Sequence, residues 1–283
     1  VPMPGLLAFH AHPDDETSST GGTLARYAEA GEQVVVVTAT DGAEGEIHNY
    51  QDPDRLKPRL VQVRTEELRK AMEILGVARH EYLGYRDSGM MGTDANQHPD
   101  CFWRADFMEA AGRLVRLMRR YRPEVMTIYD PFGGYGHPDH IQVHRVGMAA
   151  FFGAGDRNRF PLEDGEELWE PVKLYWTAWP RSRMGAFAEA RLRMGLITEE
   201  DAERMRHGGT PDQQVTAWLD NRTYHELKAE ALRAHRSQIP TDWFMLNVAD
   251  ELRPDVLGWE TFVRVVSRVE APSREDDLFT GLR

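Results

Sequence analysis

The run Gln33 to Thr40, QVVVVTAT, narrows most sharply what this chain can become. Consecutive apolar and β-branched residues without polar alternation mark a strand buried on both faces, and such strands belong to parallel sheets covered by helices. The flanking sequence agrees. Leu6 to His12 reads as an earlier strand, with Thr20 as a helix N-cap and Gly22 to Ala30 as a helix ending at Gly31. Lys57 to Leu75 carries Val61, Leu68, Met72 and Leu75 at helical spacing and stops at Gly76. Glu81 to Leu83 reads as a short strand, Trp103 to Tyr121 as a helix stopped by Arg122-Pro123, Val125 to Tyr129 as a strand, and Asp139 to Phe152 as a helix. This alternation predicts an α/β fold, a mostly parallel sheet flanked by helices.

The second half is less regular. Lys173 to Ala178 and Thr261 to Val266 read as strands, and helices fall near Arg183 to Met194, Glu199 to His207 and Asn221 to Arg236. No repeat and no low-complexity linker divides the chain. The expectation is one domain over 1–283, a core of about 5–155 with a C-terminal elaboration of about 156–283.

Composition removes several classes. Apolar residues are 41% and charged ones 28%, enough for a packed core. The 46 acidic residues against 34 basic ones give a net charge of −12, which repels a phosphate backbone, so no nucleic-acid partner is expected. Cys101 is the only cysteine, which excludes an internal disulfide and a thiolate metal cluster. Any metal must be held by His, Asp or Glu. No apolar run approaches the roughly 20 residues of a membrane span. Leu6 to Phe9 is too short for a signal core, so the expected location is the cytoplasm, without membrane association. Monomer and homo-oligomer both stay open.

In open α/β sheets, ligands bind outside the carboxyl ends of the strands. The loop after the first strand reads His12-Pro13-Asp14-Asp15-Glu16, and the loop after Val125 to Tyr129 runs from Asp130 to His140 and ends Gly136-His137-Pro138-Asp139-His140. One His-Pro-Asp turn is an ordinary polar turn. Two of them at two strand ends point to a metal site. Catalytic zinc takes three N/O ligands and leaves a position for water, and His12, Asp15 and His140 form such a set. Fe(II) suits the same two-His-one-carboxylate set. Asp14 is then the spare carboxylate, able to take a proton as water attacks a carbonyl. His137 could stabilise the oxyanion or protonate the leaving amine, with Asp139 fixing its orientation. His10 shares a strand face with His12 and reads as a core histidine. His144, four after His140, lacks the zincin glutamate, since Ile141 stands there, and reads as structural or as backing the ligands.

The segments AHPDDE at 11–16 and GYGHPDH at 134–140 resemble the signatures of the LmbE-like, PIG-L superfamily of N-deacetylases. Arg64 and Glu67 in VRTEEL, LGYRDSGM at 83–90, YDPFGGYGHPDH at 129–140 and AHRSQI at 234–239 extend the likeness from about Leu6 to Ile239. It looks closest to the low-molecular-weight-thiol branch, which includes the deacetylase of mycothiol biosynthesis, the amidase of mycothiol S-conjugates, and the bacillithiol counterparts. The resemblance implies a Rossmann-like fold, a zinc at His12, Asp15 and His140, Asp14 as base, and His137 aided by Asp139. It also implies Tyr135 near the developing oxyanion, and Arg64 and Asp87 on sugar hydroxyls. Read without it, Arg64 is a helical surface charge, Asp87-Ser88-Gly89 a turn, and the Gly45 to Lys57 loop a substrate lid or a connector.

The activity expected on this basis is removal of an N-acetyl group from an N-acetylglucosamine conjugate, a small amino-sugar partner. Two alternatives stand beside it. One is an amidase that cuts a glucosaminyl-cysteine S-conjugate with the same machinery. The other is a non-catalytic sugar-binding metalloprotein, against which the spare Asp14 argues.

Overall fold

The protein was analysed as a computed structural model, which describes residues 5–283. Its elements run β1 (Gly5–His10), α1 (Asp15–Glu29), β2 (Gln33–Thr40), α2 (Pro53–Leu56), α3 (Leu60–Ile74), β3 (Arg79–Tyr85), α4 (Phe107–Tyr121), β4 (Val125–Ile128) and α5 (Pro138–Gly153). They continue with β5 (Lys173–Ala178), α6 (Arg181–Arg193), α7 (Glu199–His207), β6 (Ala217–Asp220), α8 (His225–Ala234), α9 (Arg253–Gly258) and β7 (Trp259–Ser267). One seven-stranded sheet collects strands from both halves in the order β3-β2-β1-β4-β5-β7-β6. The first five are parallel, while β7 pairs antiparallel with both β5 and β6.

The apolar run forms a central strand for the reason its composition suggests. Val35 and Val37 of β2, with Leu7 and Phe9 of β1, pack beneath α4 and α5 beside Leu114, Met118 and Val143. Val34 and Val36, with Leu6 and Ala8, enter the opposite layer under α1, α3 and α8, beside Leu24, Leu68 and Ala231. Successive side chains thus feed two separate cores.

The first helix begins earlier than the sequence suggests. The helix expected from Gly22 starts at Asp15, and Thr20, expected as its N-cap, lies inside it and bonds back to the Glu16 carbonyl. Gly21 and Gly22 do not interrupt the helix; they let it approach α8 and the β6–α8 turn. A Cβ on Gly22 would lie 2.8 Å from the Asn221 Cβ, and one on Gly21 would lie 3.2 Å from the Lys228 side chain. Gly22→Ala should therefore destabilise the fold by about 1–3 kcal/mol despite the better helix former, read as a lower urea midpoint at unchanged slope; an unaltered midpoint would show that the contact relaxes freely. The strand β6 and the short α9 carried no readable sequence period.

The chain travels outward from β1 to β2 and β3, then crosses back to β4 on the other side of β1. The crevice between the carboxyl ends of β1 and β4 is thus where the direction of winding reverses, the position at which such sheets bind ligands.

Candidate active site

Both His-Pro-Asp turns leave the sheet at this crevice. The first follows β1 directly and starts α1; the second follows β4 and starts α5 with Pro138 in its first turn. The Asp15 Oδ2 lies 3.2 Å from His12 Nδ1 and 3.2 Å from His140 Nε2, and also accepts the His12 backbone N–H at 2.8 Å. One ligand atom from each of these three residues lies within 4.8 Å of the others. Two imidazole nitrogens and a carboxylate converging from two loops suit one divalent cation. The other His12 nitrogen supports that use: Nε2 meets Asp139 Oδ2 at 3.2 Å and Asp87 Oδ1 at 3.5 Å. A carboxylate on the far nitrogen fixes the ring and its tautomer, as backing carboxylates do for metal-ligating histidines. Burial works against charge on His12, yet Asp87, Asp139 and Asp15 together raise its pKa well above the usual value. Burial likewise opposes the Asp15 anion, while His140 and His12 hold its carboxyl well below the usual range.

The Asp139 carboxylate does not turn to His137 as expected. It is spent on His12 and on Ser88, whose backbone N–H donates to Oδ2 at 2.9 Å and whose hydroxyl donates to Oδ1. The link to His137 runs through the main chain instead, because the Asp139 N–H donates to His137 Nδ1 at 3.1 Å, capping α5. The His137 side chain is used as the cap, so the Asp139 carboxylate, two residues on in the first turn, is left to face the crevice.

Arg64 is not the surface charge that its helix alone suggests. It is buried, with Nη1 donating to the Gly42 carbonyl at 2.8 Å and Nη2 to the Pro13 carbonyl at 2.7 Å and Asp14 Oδ2 at 3.1 Å. Its visible work is to hold the first turn and the Asp14 carboxylate, and its Nε is buried without a partner. Burial raises the Asp14 pKa to about 6, with the Arg64 charge pulling the other way. Arg64→Ala should cost about 10–100-fold in kcat/KM, the worth of a charge-assisted hydrogen bond, with metal content unchanged by elemental analysis. A variant with unaltered kinetics would remove Arg64 from the site.

Asp87 lies at the crevice beside His12, accepting the Gly89 N–H at 2.8 Å and the Glu44 N–H at 3.2 Å. Tyr135 rises from the glycine-rich loop, 56% exposed, its hydroxyl 3.4 Å from His140 Nε2. His10 is buried and bonded to the Tyr129 hydroxyl and Thr20 at 3.0 Å each, and His144 meets the Tyr129 carbonyl at 3.0 Å. The Gly45 to Lys57 loop is tied down: His48 N–H donates to the Ser237 carbonyl at 2.8 Å, and Asn49 Nδ2 to the Arg236 and Ile239 carbonyls.

Sequence reasoning passed over four contributors. Ser88 supports Asp139; Tyr129 stacks on the His140 ring at 4.3 Å between centroids and 11° between planes; Glu16 and His235 form a buried pair behind Asp14. All four lie in the quoted segments, but nothing local marks what they touch. A cavity of about 580 Å³ opens beside Asp15 and His140, lined also by Tyr129, Tyr135, Trp176 and Trp243.

This arrangement is that of a metal-dependent amide hydrolase, and the comparisons agree. The family model described as PIG-L, GlcNAc-PI de-N-acetylase, matches residues 7–151. The chain belongs to this family of N-deacetylases. It is 43% identical over 293 residues to the 1D-myo-inositol 2-acetamido-2-deoxy-alpha-D-glucopyranoside deacetylase 1 of Catenulispora acidiphila, covering 98% of this chain and 89% of that one. A namesake from Geodermatophilus obscurus is 42% identical over 303 residues, covering 100% and 99%. The solved N,N'-diacetylchitobiose deacetylase of Pyrococcus horikoshii shares the fold with a TM-score of 0.65, at 19% identity over 93% of this chain and 84% of that one. Among the described residues, no helix is long and apolar enough to cross a membrane.

Proposed function

We propose that the protein hydrolyses the N-acetyl amide of 1D-myo-inositol 2-acetamido-2-deoxy-alpha-D-glucopyranoside, the compound its relatives are named for, with one zinc ion at His12, Asp15 and His140. The observation that carries this reading is the convergence of those three ligand atoms beside the cavity that Asp15 and His140 line, with Asp14 next in sequence and its carboxylate unspent on the helix. Fe(II) fits the same donors. A divalent ion there supplies Lewis acidity, polarising the amide carbonyl and lowering the pKa of water.

The chain's own residues supply the rest. Asp14 accepts the proton of the attacking water as the C–O bond forms. The His137 Nδ1 accepts a backbone N–H, so the proton of the neutral ring sits on Nε2, where it can donate to the oxygen that gains charge. The Tyr135 hydroxyl is a second donor for that oxygen. The C–N bond then breaks, the amine nitrogen takes the proton, and acetate and a free amino sugar leave. Asp87 accepts from a sugar hydroxyl on the Asp139 side of His12, and Arg64 serves the same step by holding the Asp14 carboxylate.

One observation favours a second reading. Past Tyr135, Trp179 and Trp243 the cavity adjoins a further hollow of about 540 Å³ lined by Phe187, Met205 and other apolar side chains. Acetate needs no such space, whereas the thioether substituent of a cysteinyl S-conjugate would use it. A side-by-side assay decides: kcat/KM higher for the acetylated glucosaminyl-inositol supports the deacetylase, and higher for the S-conjugate makes the protein an amidase.

A further inference from the structure

Asp14 has φ 132° and ψ −27°, a backbone conformation that residues with a side chain rarely adopt and that persists only where its surroundings impose it. It stands at the N-cap of α1, where an aspartate ordinarily turns its carboxylate onto N–H groups of the first turn. No such bond forms here, and the carboxylate meets Arg64 instead. The backbone is secured by a different side chain. Glu16 Oε2 accepts the Asp14 N–H at 2.9 Å. Glu16 is fully buried, and its Oε1 meets His235 Nε2 at 2.9 Å. His235, also fully buried, lies at the end of α8, 219 residues along the chain from Glu16. The segment carrying it is anchored in turn, because the Ser237 N–H and hydroxyl donate to Glu67 at 2.9 and 2.6 Å.

We propose that Glu16 and His235 are a positioning pair that imposes the left-handed turn at Asp14 and so keeps its carboxylate directed into the site. A buried N–H must have an acceptor. Glu16 therefore fixes the direction of the Asp14 N–H, while Arg64 grips the Pro13 carbonyl of the same peptide at 2.7 Å. Held on both edges, that peptide plane cannot turn. Without Glu16, Asp14 can relax to negative φ, and its carboxylate then falls onto the first turn of α1 as an ordinary cap. His235 sets the rotamer of Glu16 from the far side, which gives the C-terminal segment a part in the reaction without contact with substrate. Half of a capping box would use the same Glu-to-N-cap bond, but there the cap side chain bonds the helix, and here it does not.

The inference rests on the reading of Asp14 as the base, and a double-mutant cycle separates the two claims. Glu16→Gln keeps the volume but cannot serve both partners with the same charge. It should lower kcat at least tenfold, with KM and metal content within twofold. In an Asp14→Asn background it should lower kcat no further. An equal fall in both backgrounds, no fall in either, or loss of metal would overturn the pairing. Should Glu16→Gln fail to fold, His235→Gln is read in the same way. If Asp14→Asn alone is fully active, the base assignment is what fails. The pair itself is then judged by a crystal structure of Glu16→Ala, in which residue 14 should leave positive φ; retention of φ near 132° would contradict the proposal.

Discussion

Asp14→Asn should lower kcat by about 10²–10⁴-fold, the usual worth of a general base, while leaving the fold and the metal in place. Asp14 and Asp15 are neighbours with different surroundings. The Asp15 carboxylate is engaged by His12 and His140 at 3.2 Å each, whereas Asp14 meets only the guanidinium of Arg64 at 3.1 Å. A carboxylate whose lone pairs are taken up by coordination is a poor proton acceptor, so the two roles fall on separate residues. Asparagine keeps an oxygen for Arg64 and nearly the same volume, so the loss should fall on kcat, with KM little changed. Kinetics and elemental analysis of the same preparation check this. If Asp14→Asn loses metal while Asp15→Asn keeps both metal and fold, the assignments of the two residues are reversed.

His140→Ala should release the ion and abolish turnover together. Removing a residue that only backs a ligand typically costs about 10–100-fold in metal affinity, and loss of one of three ligands should exceed that. The fold should survive, because His140 stands on α5 at the crevice and the core beneath α5 is built by Val143, Val146 and Ala150. Elemental analysis after dialysis, with circular dichroism as the control for folding, reads the result. Full occupancy in a folded variant would remove His140 from the ligand set. Gly133 tests the same position indirectly: it has φ 65°, and a Cβ there would lie 2.5 Å from the His140 Cβ. Gly133→Ala should accordingly weaken metal binding, read by the same elemental analysis, although no ligand is replaced.

The parallel sheet was legible because strands buried on both faces need no partner to be recognised; Val34 to Val37 advertise themselves. That the turns carrying His12, Asp14, Asp15, His137 and His140 would meet was legible because each turn follows a recognisable strand, and the reversal between β1 and β4 brings the ends of those two strands together. Contacts between side chains were not. Asp139 was matched with His137, two residues away, while its carboxylate in fact meets His12 across 127 positions. Arg64 read on its own as a surface charge because nothing in a helix period says that a loop carbonyl from Gly42 will lie against it. The start of α1 was misplaced because paired glycines look like a break, and only the closeness of Asn221 and Lys228 explains them. Four-residue β6 lies at the sheet edge, too short for a period to show.

The most direct test of the central claim is acetate release from 1D-myo-inositol 2-acetamido-2-deoxy-alpha-D-glucopyranoside by metal-free protein titrated with Zn²⁺ or Fe²⁺. Turnover should be absent without metal, rise in proportion to metal and level off near one ion per chain, with one acetate and one free amine formed per substrate. Full turnover by the metal-free protein, or a saturated metal site that releases no acetate from this conjugate, would contradict it.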